Sequence, residues 1–446
     1  MFSTVVCSSK AAHGSRGGKL LNRKLFISFI CGLLGISLLT LSSCEEGRFG
    51  KPLVKDGFQF PTGIAVHPAG FAFVASANFD VAYVQGAMRV IDLNALAADL
   101  AIPVEQRQDY PYYRDTILES KGIAMGNFAG TVALSPDGSL LAVTIRENDE
   151  LLLFDVNVEV VDGHAELGLT CWDGLAGSEE FPECEGARHR IQMTQHDPYD
   201  ILFTEIEKPN GDIDRTAWIS FLKSGDVMAL DVPVDRDKVP QVLYSLETEV
   251  SGASDLAQCP DTGFIYVTSR FPAAQSNPVS FFDPSLGSDA EMKSVDLFDD
   301  FLGNETRSIA FSSDGKTAGL VVRNPDMLVT MDTSLDYTGE PKNTFLGTIG
   351  LGPNPSRVRA LGDLFFITGA KDDAIDLVDG ATRRLVGVRE DVCRGPFEVA
   401  FWDRGDLKWA LVSCFEDDTI AVMDVDSKSP TYLDVIARVG KPREGD

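Results

Sequence analysis

Several absences narrow what this chain can do. Five histidines are spread over 446 residues and no HExxH occurs, which removes the helical zinc-protease arrangement. Four of them, His67, His164, His189 and His196, lie beyond the first 44 residues. No GxSxG is present, so a serine on a strand-to-helix elbow is excluded, and no CxxCH offers a haem attachment. Thiols do not cluster at the close spacing that tetrahedral zinc requires. The segment SSDGKT at Ser312 to Thr317 has the ending of a phosphate-binding loop, but Ala310 stands where the first glycine would be, and the segment reads as a turn between strands. Positive charge is also scarce: 39 Lys and Arg face 67 Asp and Glu, for a net charge of −28. Such a surface repels nucleic acid and anionic headgroups. It fits solubility or a salty environment, with a cationic partner or calcium as the other use.

What is present is a repeat. In GTVALSPDGSLLAVTIRENDELLLFDV, Gly130 to Val156, an alternating run meets a Pro136-Asp137-Gly138 turn, reverses into LLAVTI, turns again and enters LLLFD. Proline presets one turn dihedral and glycine supplies a positive φ, so a hairpin and then a third strand follow. The same order returns six more times, with an aspartate closing the third strand at Asp92, Asp155, Asp231, Asp283, Asp332, Asp379 and Asp424. The intervals are 63, 76, 52, 49, 47 and 45 residues. Fourth strands are expected in segments such as KNTFLGTIGLG and YLDVIARVG. Units of this size cannot bury both faces alone and must stack around an axis, which predicts an all-β fold: a single seven-bladed β-propeller over residues 57–446. Two segments break the period, about 94–125 and 157–195, and are expected as surface loops outside the blades.

These units resemble the YVTN-type repeats of the lactonase-like propellers. The likeness rests on Tyr266-Val267-Thr268 within FIYVTS, on the turns Ser135 to Gly138 and Ser313 to Gly315, and on the strand-ending aspartates, and it covers about Phe58 to Gly440. The resemblance implies seven blades. Its members differ in function, so it implies no one activity.

The first 24 residues carry Lys10, Arg16, Lys19, Arg23 and Lys24 with no acid, and Leu25 to Leu41 is apolar throughout except for small and hydroxyl residues. This predicts a signal peptide, residues 1–43, or alternatively an uncleaved membrane helix. Leu41-Ser42-Ser43-Cys44 resembles the bacterial lipobox, which implies acylation at Cys44, a tether over 44–56, and anchoring on a membrane surface of the bacterial envelope. Glu45 favours the outer membrane. Loss of the five leader cations takes the net charge from −28 to −33.

Of the remaining cysteines, Cys171 and Cys184 flank a short loop and Cys393 and Cys414 sit at two ends of one hairpin, so two disulfides are expected in an exported chain. Cys259 is left over, a buried structural thiol. Asn210, Asp212 and Asp214 alternate as calcium ligands do, but the loop lacks the following glycine and the bidentate glutamate; an Asx-rich hairpin tip is the other reading. No other cofactor is expected.

Cations recur between the second and third strands. Arg146, Lys223, Arg323 and Lys371 stand eight or nine residues before the closing aspartates, and Arg270 takes the same place in a unit with a longer loop. The loops entering the blades share that face of a propeller and carry His196, Arg307, Arg357 and Arg394. A basic mouth on an acidic body is predicted. Two uses are open: blade-to-blade ion pairs with Asp149, Asp226, Asp326 or Asp372, or an anion site in which guanidinium forks take carboxylate or phosphate. Function divides in the same way. One reading is an envelope lipoprotein whose propeller binds a protein partner or an anionic glycan; the other is a lactonase-like hydrolase using His196 and a neighbouring carboxylate. Paired side chains plugging the mouth would favour the first, and His196 converging with carboxylates would favour the second.

Overall fold

The computed structural model describes residues 50–107, 110–171, 181–208, 211–235, 237–248, 252–271, 278–296 and 304–443. The leader, residues 44–49 of the tether, Cys44 among them, and Asn210 lie outside the described residues. Seven antiparallel sheets follow one another along the chain, each with its first strand innermost, and together they form a seven-bladed β-propeller. The innermost strands are Pro61–His67, Ala129–Leu134, Pro198–Glu207, Ala253–Gln258, Asn304–Phe311, Pro355–Leu361 and Pro396–Asp403, in blades 1 to 7. The segments expected as fourth strands contain Thr344–Gly350 and Val435–Val439, the outermost strands of blades 5 and 7.

Turn chemistry explains why the chain folds back where it does. In blade 2, Asp137 Oδ1 accepts from Ser135 Oγ (2.6 Å) and from the Ser139 N–H (3.0 Å), and Ser135 Oγ accepts from the Leu140 N–H (3.0 Å). Ser312, Asp314 and Lys316 repeat this pattern in blade 5, and Gly138 and Gly315 sit at φ +74° and +66°, where a side chain would be strained. The aspartates that close third strands act alike: Asp92, Asp283, Asp332, Asp379 and Asp424 each accept a backbone N–H two or three residues on, which bends the chain out of the sheet. Asp92 thereby caps the helix Leu93–Leu100.

Second strands such as Phe71–Ser76 and Leu140–Ile145 are buried at every position, because both faces pack against neighbouring blades. Each Val, Leu, Ile or Phe so buried contributes about 1.5–3 kcal/mol. Outermost strands such as Gln241–Glu247 are largely exposed.

Both insertions enter the sheets, which corrects the expectation that they lie outside the blades. The first supplies Ile123–Met125, the outermost strand of blade 1, and the second supplies Arg190–Gln192, the outermost strand of blade 2. An unpaired third-strand edge would leave its amides and carbonyls without partners, and the inserted segments satisfy them. The first insertion also sends Tyr112–Tyr113 to pair in parallel with Val435–Val439 of blade 7. Ring closure therefore needs no exchanged blade strand. It is completed by Asp418, which accepts the Phe60 N–H at 2.8 Å and pairs with Arg443 at 2.6 Å.

The two expected disulfides are formed, Cys171–Cys184 and Cys393–Cys414, with Cα separations of 4.8 and 5.7 Å. They point to an oxidising, extracytoplasmic compartment. Cys259 is buried and free, donating to the Gly315 carbonyl at 3.2 Å. Among the described residues, no helix is long and apolar enough to cross a membrane.

Candidate functional site

The site begins with a defect repeated seven times. Every innermost strand breaks register with its neighbour near its start, between Pro61 and Ile64, Ala129 and Val132, Pro198 and Asp200, Ala253 and Asp255, Asn304 and Ser308, Pro355 and Val358, and Pro396 and Val399. A bulge re-aims side chains that would otherwise alternate between blade faces. Here the bulged positions include Tyr199, Arg307, Arg357 and Phe397, and all four line one cavity at the mouth. Close approach of the bulges demands small residues: a Cβ on Gly130 would fall 2.5 Å from the Tyr199 carbonyl oxygen.

Beneath that cavity the axis is filled by a buried polar network. Arg357 Nη1 meets Asp255 Oδ1 at 2.5 Å, Arg359 Nη1 meets Asp255 Oδ2 at 3.3 Å, and Arg359 Nη2 meets Glu398 Oε2 at 2.9 Å. Ser308 Oγ donates to Asp255 Oδ2 at 2.7 Å, and Arg357 Nη2 donates to Thr131 Oγ1 at 3.3 Å. Burial alone would raise the Asp255 carboxyl, but Arg359 and Arg357 outweigh it and hold it below the usual carboxylate range. Asp200, which accepts the Leu256 N–H at 2.6 Å, goes the other way: burial and the charge of Asp255 push it up to about 7. The network joins blades 2 to 7.

Above it the cavity has a volume of about 550 Å³, within the range of small-ligand sites. Its floor is Tyr199, with the guanidinium carbons of Arg146, Arg357 and Arg270 lying 5.3, 5.4 and 5.9 Å from the ring centroid. Burial would raise this phenol, yet Arg357, Arg270, Arg307 and Arg146 together hold it below its ordinary value.

Of the nine cations expected at the mouth, six line the cavity: Arg146, Arg270, Arg307, Arg323, Arg357 and Lys371. Three do not. Lys223 is exposed, and Leu222 takes the inward place in its turn. Arg394 turns aside to Asp417 at 2.5 Å, and His196 turns outward, its Nδ1 meeting Asp149 Oδ2 at 2.6 Å. The cavity lining contains no histidine.

Of the aspartates expected to neutralise these cations, Asp149 and Asp326 accept backbone N–H groups of Asp197 and Asn354, and Asp226 and Asp372 form no ion pair with a mouth cation among the described residues. Asp373 and Asp418 act as Asp149 and Asp326 do, accepting the N–H groups of Gly395 and Phe60, each at the entry of the next blade. Asp149, Asp373 and Asp418 reach that position from positive φ, a conformation aspartate tolerates. The cations keep partial compensation. Arg146 is paired with Asp197 at 2.5 Å, and Arg307 and Arg270 share Glu305 at 3.4 and 3.9 Å. Arg323 donates to the Pro355 carbonyl and to Ser356 Oγ, each at 2.7 Å, and among the described residues no carboxylate lies within ion-pair distance of it or of Lys371. Arg270 Nε is buried without a hydrogen-bond partner. Burial, with repulsion from Arg270 and Arg323, pushes Arg307 down to about 9, and burial lowers Arg323 as well. A local excess of positive charge thus faces solvent across a concave surface.

Asp214 of the calcium reading is paired with Lys208 Nζ at 2.6 Å. Among the described residues no group of three His, Cys, Asp or Glu side chains is placed to hold a metal ion.

Comparison with known proteins gives fold and no more. No protein-family model matches the chain. No curated protein matches it. Among solved structures it is similar to Kuenenia stuttgartiensis hydrazine synthase, with 13% identity, 86% of this chain and 100% of that chain covered, and a TM-score of 0.57. Saccharomyces cerevisiae Sqt1 aligns with 10% identity over 85% of this chain and 100% of its own, TM-score 0.53. A Lactobacillus plantarum protein aligns with 14% identity over 75% and 85%, TM-score 0.51.

Proposed function

We propose that this chain is an exported, lipid-anchored propeller of the bacterial envelope that binds an anionic group in its mouth, either a free acid or an acidic group on a glycan or protein partner. One observation carries the reading: six cations converge on one cavity, and among the described residues Arg323 and Lys371 have no carboxylate within ion-pair distance, the nearby Asp149 and Asp326 being occupied by backbone amides. Guanidinium forks suit carboxylate and phosphate, and an anion would offset the repulsion that Arg270 and Arg323 add to the burial of Arg307. Lipid anchoring rests on Leu41-Ser42-Ser43-Cys44, and export is supported by the two disulfides.

Binding is favoured over hydrolysis by the same geometry. His196 is paired outward with Asp149, and Asp197, a carboxylate of the lining, is already held by Arg146. The mouth itself is open and not plugged, and the paired side chains of Arg357, Arg359, Asp255 and Glu398 lie below it. Calorimetric titration of the soluble domain with inorganic phosphate and with small mono- and dicarboxylates should show saturable binding that weakens steeply with added salt. Absence of binding to every anion at low salt overturns the reading.

A further inference from the structure

We infer that the ligand of this mouth is an acid carried on an aromatic or flat apolar body, an inference that rests on the anion-binding reading above. The cavity has two unlike sides. Its cations come from blades 2, 4, 5 and 6, with Phe271 beside Arg270, whereas blades 7 and 1 contribute three rings and no cation, Phe397, Phe415 and Phe79. These phenylalanines form a continuous surface: Phe397 and Phe415 have ring centroids 5.8 Å apart, and Phe415 and Phe79 are 5.4 Å apart and edge-on. Phe60 and Phe128 back them at 4.9 Å from Phe415 and 5.2 Å from Phe79.

Phe79 remains 41% exposed. Phe397 and Phe415 beside it are half-buried, and a ring surface open to water in this way gains by being covered. Because it faces the cations across one cavity, a single molecule can satisfy both sides. Rings offer edge-to-face contacts and no hydrogen bonds. The polar side chains of the lining on that side are Thr62, whose Oγ1 already donates to the Ala129 carbonyl at 3.1 Å, and the exposed Glu416, a carboxylate that accepts hydrogen bonds. Sugar hydroxyls placed against the rings themselves would lose water without gaining partners, so the geometry favours an aryl acid over a sugar acid.

Four probes of similar charge separate the ideas: inorganic phosphate, phenyl phosphate, 2-naphthoate and glucuronate, titrated against the wild-type domain and Phe79→Ala. Phe79 is exposed, so its truncation leaves the blades intact, and an unchanged melting temperature verifies this. The expected result is that phenyl phosphate binds about tenfold more tightly than phosphate, and 2-naphthoate about tenfold more tightly than glucuronate. Phe79→Ala should remove most of both advantages, bringing phenyl phosphate close to phosphate and 2-naphthoate close to glucuronate. If phosphate binds but the aryl probes gain nothing, or if their gain survives Phe79→Ala, the aryl-acid inference is overturned while the anion site stands. If no probe binds at low salt, the anion-binding reading itself fails and takes this inference with it.

Discussion

Arg357 touches two things at once: its guanidinium carbon lies 5.4 Å from the ring centroid of Tyr199 above, while its Nη1 holds Asp255 at 2.5 Å below. It is therefore the joint between the open mouth and the buried network. Asp255 is fully buried and Arg357 nearly so, which makes removal of either partner much worse than never having had the pair. Arg357→Met should lower unfolding stability by about 3–5 kcal/mol, because Asp255 and Glu398 would be left with Arg359 alone. Urea titration followed by tryptophan fluorescence measures it. A loss below about 1 kcal/mol would show that Arg359 suffices.

The same network sets a pH dependence. Asp200 is raised to about 7 by burial and by Asp255, against the opposing charges of Arg357 and Arg359. Between the ordinary carboxyl range and pH 7 the folded state therefore holds a proton that the unfolded state has released. Its contribution is fully present below the ordinary carboxyl value and is lost as pH rises through about 7. Asp255 has the opposite sign: held low, it stabilises above the ordinary range and loses that effect as pH falls through its folded value. Asp200→Asn, which mimics the protonated acid, should flatten the decline in melting temperature between pH 5 and pH 8. A wild-type profile with no decline in that window, or an equal decline in the variant, counts against the assignment.

The blades were legible because their signals are local. Turn residues, alternation and the closing aspartate each act within a few residues, and the aspartates turn the chain through their own carboxylates. The mouth was legible in part for the same reason. The residue that follows the second strand points inward, which places Arg146 and Arg270 in the cavity, and in blade 3 that residue is Leu222, one short of Lys223. Tyr199, Asp200, Asp255, Arg359 and Glu398 were not identified. They lie at or beside the bulges of four first strands, and a bulge inserts its residue without any period to betray it. A polar residue immediately before the apolar run in six of the seven first strands, Thr131, Asp200, Asp255, Ser308, Arg357 and Glu398, was the available signal.

The Cys393–Cys414 bridge bears on the aromatic wall. Phe415 follows Cys414 directly, and its N–H donates to the Gly395 carbonyl at 3.0 Å, so the bridge and this bond clamp the ring-bearing turn to the blade entry. Replacing both cysteines with serine should cost about 2–4 kcal/mol. Thiol labelling of the native protein should find Cys259 unreactive, since it is buried. Labelling of Cys393 or Cys414 in unreduced, denatured protein would contradict the bridge.

Anchoring has its own test. Cys44→Ala in the full chain, expressed in a bacterium fed a radiolabelled fatty acid, should yield an unprocessed precursor that carries no label, whereas the wild type should be shortened and labelled. Equal labelling of the two proteins would reject acylation at this cysteine.

The basic mouth gives the sharpest contrast between a site and a scaffold. Arg323 donates to carbonyls and one hydroxyl, and Arg270 Nε lies 3.9 Å from Glu305 without a hydrogen bond, so neither makes a close ion pair that holds the blades together. Arg323→Ala combined with Arg270→Ala should reduce affinity for inorganic phosphate at least about a hundredfold, while changing stability by no more than about 1 kcal/mol. Lys223→Ala and Arg394→Ala serve as controls of equal charge change. Both cations lie off the cavity, so their removal should weaken binding only through long-range field, by less than about threefold, and that small effect should vanish above roughly 0.15 M salt. Equal losses from the control pair and the cavity pair would mean that the acidic body merely responds to net charge. A large stability loss in the cavity pair would mean that the cations are structural after all.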